Sequence, residues 1–389
     1  MGRILKFIED SGGGRYTCYK TKKLSYDEKQ DDTLDYDDKP ALQTYNSKFG
    51  ETDKKRVKTV KIDEDFIAFC KDPLFHFFLD GSRHIYKVDD IGIADRIYPM
   101  LLGQIVVGCC ERLDKDNFRK YKVDRSIVIA LPENFNYDDD KEYDFCCDYV
   151  ERLNEEISKI SYIGDSNIRI NKLLLYKTDG NSNITKDKNG LKDSGTAKIQ
   201  VEMTDSEQLM VRDLCKKSLL SSDSFLIKDG SLEYSSITGI SKTEWDSYRI
   251  NYKHVVGVSK MFNPDLLRDF NNEKLSKTIA ELKPYERTKV YVYTYNNVNY
   301  AMWYLRLRKS EYRETHFSDV IKCEMILENE SSLLDTEMVN MISANLIREA
   351  YPTCYGKDSR WANHLYPVFL TETFCKSNYI NDKILLNLF

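Results

Sequence analysis

Nowhere do apolar residues run uninterrupted for the ~18–20 positions that a membrane helix needs, and the first ten residues lack the apolar core of a signal peptide. A cytoplasmic protein with no membrane partner is expected. There is no CxxC pair among the ten cysteines and no histidine at zinc-finger spacing, so reduced, mostly buried thiols are the better reading. The absence of a GxSxG elbow, with only five histidines and none paired with a nucleophile in a motif, argues against a serine or cysteine hydrolase. No GxxxxGK[ST] loop occurs, so any ATP-driven motion must come from another protein. Positive charge is not in excess either. A net charge of -5 disfavours a protein that coats nucleic acid along its whole surface, but leaves room for a local basic groove beside acidic ligands.

What is present is an ordinary globular balance, 41% hydrophobic and 31% charged, on a chain of 389 residues that can bury a substantial core. Residues 25–61 are charged and weakly patterned, which suggests a mobile arm or partner contact and places the folded domain at 62–389. Apolar runs at 73–82, 100–110, 126–133, 225–234, 254–262, 290–308 and 319–327 predict strands, with RHIYKV after residue 82 returning as a hairpin partner. Helical spacing appears at 143–160, at 204–220 and through the last sixty residues, while 179–195 has the composition of a flexible loop. The order is mixed α/β.

Two of these strands end in Asp-Gly-Ser, at Asp80–Ser82 and Asp229–Ser231. Carboxylates at strand ends stand where α/β sheets bind ligands, glycine admits a phosphate close to the backbone, and Ser82 and Ser231 can hydrogen-bond phosphate oxygens. Asp-Gly is also a common turn dipeptide, which leaves a purely structural reading open. As a pair, the two aspartates suit two Mg²⁺ or Mn²⁺ ions about 3.5–4 Å apart for in-line phosphodiester cleavage. Arg306 and Arg308 alternate with leucines, so one strand face can present two guanidiniums to DNA; an amphipathic edge strand explains the same pattern.

In order along the chain, FFLDGSR around Asp80, an acidic helix before FLIKDGSL around Asp229, VVGVSK ending at Lys260, then WYLRLR, VIKCEM and HLYPVFLTETF resemble the NurA nuclease family over roughly residues 73 to 378. The resemblance implies an RNase H-like mixed sheet flanked by helices, acting as a Mn²⁺- or Mg²⁺-dependent exonuclease or endonuclease on DNA. It also implies a dimer docked on a HerA-like hexameric ATPase, in end processing or phage defence. Asp80 and Asp229 match the family's two aspartates as metal ligands and catalytic groups, and Arg83 beside the first joins the DNA contacts. The glutamate of the preceding helix is assigned to Glu207, ahead of Glu202 and Asp213, although Thr204 and Glu207 also read as a capping box. Lys260 would bind the scissile phosphate or balance the acidic cluster, where a solvated strand end is the alternative. Tyr366-Pro367 is present as in the family, but Phe374 stands where a histidine is usual, so Glu372, or less readily His364, takes the last metal-facing role. Two rivals remain. One is a catalytically weakened subunit that gates the ATPase, and the other is an interaction protein in which Asp80 and Asp229 lie far apart.

Overall fold

The computed structural model describes residues 2–19, 23–25, 44–136, 141–160, 168–178, 188–233, 242–265, 267–268, 274–295, 298–309, 315–329, 331–355 and 361–389. In chain order the strands are β1 (Tyr16–Tyr19), β2 (Leu24–Ser25), β3 (Thr44–Phe49), β4 (Thr59–Lys61), β5 (Phe75–Ile93), β6 (Arg96–Arg112), β7 (Phe118–Pro132), β8 (Lys172–Tyr176), β9 (Phe225–Asp229), β10 (Val255–Ser259), β11 (Glu286–Thr288), β12 (Tyr291–Tyr295), β13 (Val298–Arg306) and β14 (Val320–Ile326). The helices are α1 (Arg3–Ser11), α2 (Glu64–Phe69), α3 (Glu142–Ser158), α4 (Lys188–Lys216), α5 (Lys242–Asn251), α6 (Ser276–Ala280), α7 (Thr336–Glu349), α8 (Tyr366–Ser377) and α9 (Asp382–Leu386).

All fourteen strands join one mixed sheet, whose main path runs β3-β12-β13-β14-β10-β9-β5-β6-β7-β8. Toward its β8 end β5, β6 and β7 form an antiparallel meander. β9 then lies parallel to β5 and β10 parallel to β9, each reached after a helix. The long α4 covers one face across β5 to β8, and α8 packs on β5 and β6. Because side chains alternate along a strand, Phe77, Leu79 and Leu226 share a core with Met210 and Leu214 of α4, while Phe78, Ile227 and Val256 meet residues of α7 and Val368 of α8. A mixed α/β sheet flanked by helices is therefore present as expected.

Several boundaries differ from the sequence reading. β5 does not stop at Asp80-Gly81-Ser82, because β6 pairs with it through all three residues (Asp80 with Gly108, Gly81 with Val107, Ser82 with Val106) and the strand continues to Ile93. The reversal comes at Ala94 and Asp95, with Ala94 at φ 53°, so RHIYKV is a continuation rather than a return. Strands β1 to β4 join the sheet ahead of the expected domain start, and Glu51 is buried against Arg287 at 2.7 Å. Residues 26–43 of the expected arm and 179–187 of the expected loop lie outside the described residues, and 188–195 are helical. All ten cysteines are free and six are buried, in keeping with reduced thiols. Among the described residues no helix is long and apolar enough to cross a membrane.

Candidate active site

The strand registers decide which charged residues can meet. Leu79 of β5 pairs with Lys228 of β9, so the next residues, Asp80 and Asp229, project together from strands about 4.8 Å apart, on the side away from α4. Val258 of β10 pairs with Asp229, and Lys260, two residues on, returns to that same side. Lys228, one residue before Asp229, points the opposite way, toward α4.

The meeting place is an opening in the sheet edge. β9 pairs with β5 only as far as Leu79, and β2 takes up that edge again at Tyr86. Among the described residues no strand pairs with Asp80–Ile85 on that side. A cavity of about 290 Å³ lies there, lined by Asp80, Arg83, Met203, Asp229, Lys260 and Glu372 among others. Helix α8 brings Glu372 in, and its close approach depends on glycine at β6. A Cβ at Gly108 would lie 2.5 Å from Cys375 Sγ, with the Phe374 ring next at 3.5 Å.

Lys260 organises the acids. Its Nζ stands 2.9 Å from Asp229 Oδ2 and 3.1 Å from Glu372 Oε2. Burial opposes the ammonium, but Asp229, Glu372 and Asp80 outweigh it and hold its pKa above the usual lysine value. Burial likewise opposes the Glu372 carboxylate, yet Lys260, together with Lys376 one turn along α8 at 2.8 Å, holds Glu372 down to about 2. Asp80 has no such help. It is 6% exposed, and among the described residues its carboxylate makes no hydrogen bond or ion pair. Burial first, then the neighbouring Asp229 charge, pushes its pKa well above the ordinary carboxylate range, against the pull of Lys260. A buried acid crowded by like charge and short of a partner is the environment that a bound cation relieves.

The donor chemistry fits a hard divalent ion, since every acidic group at the cavity offers carboxylate oxygen. As the side chains stand, no three Asp, Glu, His or Cys residues among those described are grouped to hold a metal ion. Lys260 between Asp229 and Glu372 supplies a physical reason.

Other expected site residues are placed differently. Glu207 is 3% exposed and paired with Lys228 at 3.1 Å on the α4 side, and it does not line the cavity. Burial raises its pKa while Lys228 opposes the rise. Its capping-box alternative also fails, because α4 begins at Lys188 and the Thr204 hydroxyl donates to the Gln200 carbonyl one turn back. Gly81 lets Glu207 approach: a Cβ there would stand 2.3 Å from its Oε1. Arg306 and Arg308 face no solvent. β13 is an interior strand, and Arg306, 0% exposed, gives its protons to the carbonyls of Ser318, Ala280 and His316. Arg308 donates to the Ala350 and His364 carbonyls and to Thr353. Both are structural, which corrects their reading as DNA contacts. The Ser231 hydroxyl donates to Glu324 at 2.8 Å, and that of Ser82 shares a 2.5 Å hydrogen bond with Tyr379, so neither is idle, although Ser82 lines the cavity.

His364 is buried with Nδ1 3.9 Å from Glu372, outside the cavity lining, and Tyr366 begins α8 with its ring edge-on to Phe118. Glu202 pairs with Lys172 and Asp213 with Lys217 and Tyr121, away from the cavity. Sequence reasoning missed Lys228, whose signal was its place one residue before Asp229, and Lys376, whose i, i+4 spacing from Glu372 was legible. No protein-family model matches the chain, and no curated protein matches it.

Proposed function

We propose that this protein is a divalent-metal-dependent DNA nuclease on an RNase H-like core, of the NurA kind, with Asp80 and Asp229 as its metal ligands. The observation that carries the proposal is Asp80: an aspartate 6% exposed, with no hydrogen bond or ion pair among the described residues, beside a second aspartate in the lining of a polar cavity. The antiparallel meander β5-β6-β7, extended by β9 and β10 parallel to β5, supports the RNase H-like reading.

In this reading Asp80 and Asp229 offer the hard oxygen ligands, with Glu372 behind Lys260 as the third acid of the cluster. A divalent ion bound there would acidify an attacking water and offset charge on the phosphodiester. Lys260 keeps the acids together and lessens their repulsion of a phosphate. Arg83, which lines the cavity and whose Nε is buried without a hydrogen-bond partner, is the group best placed to take a phosphate oxygen.

Incubation of the purified protein with end-labelled linear DNA and Mn²⁺ tests the proposal. Cleavage that is lost with EDTA, and in Asp80→Asn and Asp229→Asn chains of native circular dichroism, is the expected result. Equal cleavage by the parent and Asp80→Asn overturns it. A second reading, a weakened subunit that gates a HerA-like ATPase, draws on Phe374, whose ring packs beside Gly108 where the family carries a histidine. Absence of metal-dependent cleavage both alone and with such an ATPase would favour it.

A further inference from the structure

We infer that the site takes a single divalent cation, with the Lys260 ammonium standing permanently where a second ion would lie. The inference rests on the metal-dependent reading and specifies its metal content.

Geometry comes first. Lys260 Nζ contacts both Asp229 Oδ2 and Glu372 Oε2, the oxygens from two separate elements that a second ion would need to share. The lysine is not a passing occupant. Its side chain is 8% exposed, its strand is paired with β14 up to Ser259 and with β9 up to Val258, and its own carbonyl accepts a hydrogen bond from Asn363 Nδ2 at 3.0 Å. Asn363 is in turn fixed by the Asp319 N–H at 2.7 Å. Both the backbone and the charged tip of Lys260 are therefore held.

Charge agrees with geometry. Asp80, Asp229 and Glu372 bring three carboxylates to the cavity and Lys260 and Arg83 two cations, so one divalent ion already offsets what remains and a second finds no negative charge left to match. Glu207, the acid that would raise this count, is already neutralised on the other face of the sheet by Lys228. A second divalent ion would stand within a few ångströms of a buried ammonium, where repulsion is large. Asp80, 6% exposed and without a hydrogen bond or ion pair among the described residues, marks where the one ion is needed.

Manganese counting tests this on the intact protein. Mn²⁺ is titrated into gel-filtered parent, Asp80→Asn and Lys260→Met chains, with stoichiometry read by calorimetry and by electron paramagnetic resonance. The parent is expected to bind one ion per chain that Asp80→Asn does not bind, with the spectrum of an isolated Mn²⁺. Lys260→Met is expected to bind two, with the broadened spectrum of a coupled pair. Two Asp80-dependent ions in the parent overturn the inference without any appeal to the variant, so a poorly folding Lys260→Met chain does not rescue it. A well-folded Lys260→Met chain that still binds one ion also overturns it. If the parent binds no more Mn²⁺ than Asp80→Asn, the metal-dependent reading itself fails, a result distinct from a wrong count.

Discussion

Replacing Asp80 by asparagine should stabilise the metal-free protein while abolishing the metal-dependent cleavage proposed for it. Asp80 is 6% exposed, its carboxylate makes no hydrogen bond or ion pair among the described residues, and its pKa is pushed up by burial and by Asp229. A group whose folded pKa is raised stabilises the fold fully below its unfolded pKa of about 3.9 and loses that contribution as pH climbs through the folded value. The parent therefore weakens across that window, whereas asparagine has no proton to lose. Its amide can also donate to the neighbouring carboxylates. An unsatisfied buried polar group costs about 1–3 kcal/mol, and more when charged, so the variant should exceed the parent by about that margin at neutral pH and match it near pH 4. Urea unfolding in EDTA, followed by circular dichroism between pH 4 and 8, measures the gap. Adding Mn²⁺ at about a hundred times its dissociation constant should stabilise the parent by about 2.7 kcal/mol and leave the variant unchanged, narrowing or reversing the order. A variant less stable than the parent in EDTA at neutral pH, or a gap that ignores pH, would refute the account of Asp80 as an acid short of a cation.

Arg306→Ala should cost about 3 kcal/mol or more, because charged hydrogen bonds are worth about 1.5–3 kcal/mol each and three carbonyls lose their donor; the urea midpoint reads this. Arg83→Ala should not lower that midpoint, because its buried Nε makes no hydrogen bond that could be lost. Its effect should appear in DNA binding, where the slope of log affinity against log salt falls by about 0.9 because one fewer phosphate is neutralised. An unchanged slope removes Arg83 from the DNA surface. Gly108→Ala places a methyl 2.5 Å from Cys375 Sγ, and such overpacking costs about 1–3 kcal/mol. Cys375→Ala in the same chain should recover much of that stability, and Mn²⁺ affinity should follow, since both depend on how closely α8 carries Glu372 to the sheet.

The apolar runs located most of the sheet because burial writes itself locally: 100–110, 126–133 and 319–327 all fall on strands. The errors arise where a distant neighbour decides. Asp80-Gly81-Ser82 reads as a turn from its own residues, yet pairing with β6 carries the strand through, and Gly81 serves close approach by Glu207 instead of a reversal. The first turns of α4 escaped notice because Gly190 and Gly195 weaken helix signals; at Gly195 the absent side chain lets the helix sit on Leu101, where a Cβ would come within 2.6 Å. For Arg306 and Arg308 the alternation was visible, but whether β13 is an edge or an interior strand depends on β12 and β14 flanking it.

The acids of the candidate site were named from the sequence; their sorting onto two faces was not, since it follows from strand register. Lys228 and Asp229 are neighbours in the chain and opposites in the fold, so Glu207 meets the lysine and not the aspartate. Lys228 also donates to the carbonyls of Asp229 and Ser231, at 2.8 and 3.1 Å, around Gly230 at φ 82°. Through that lysine Glu207 holds the turn on which Asp229 stands. A glutamate assigned from resemblance to the metal thus acts as a positioning residue: its loss should loosen the Asp229 turn from behind the sheet while the cavity keeps its full set of carboxylates.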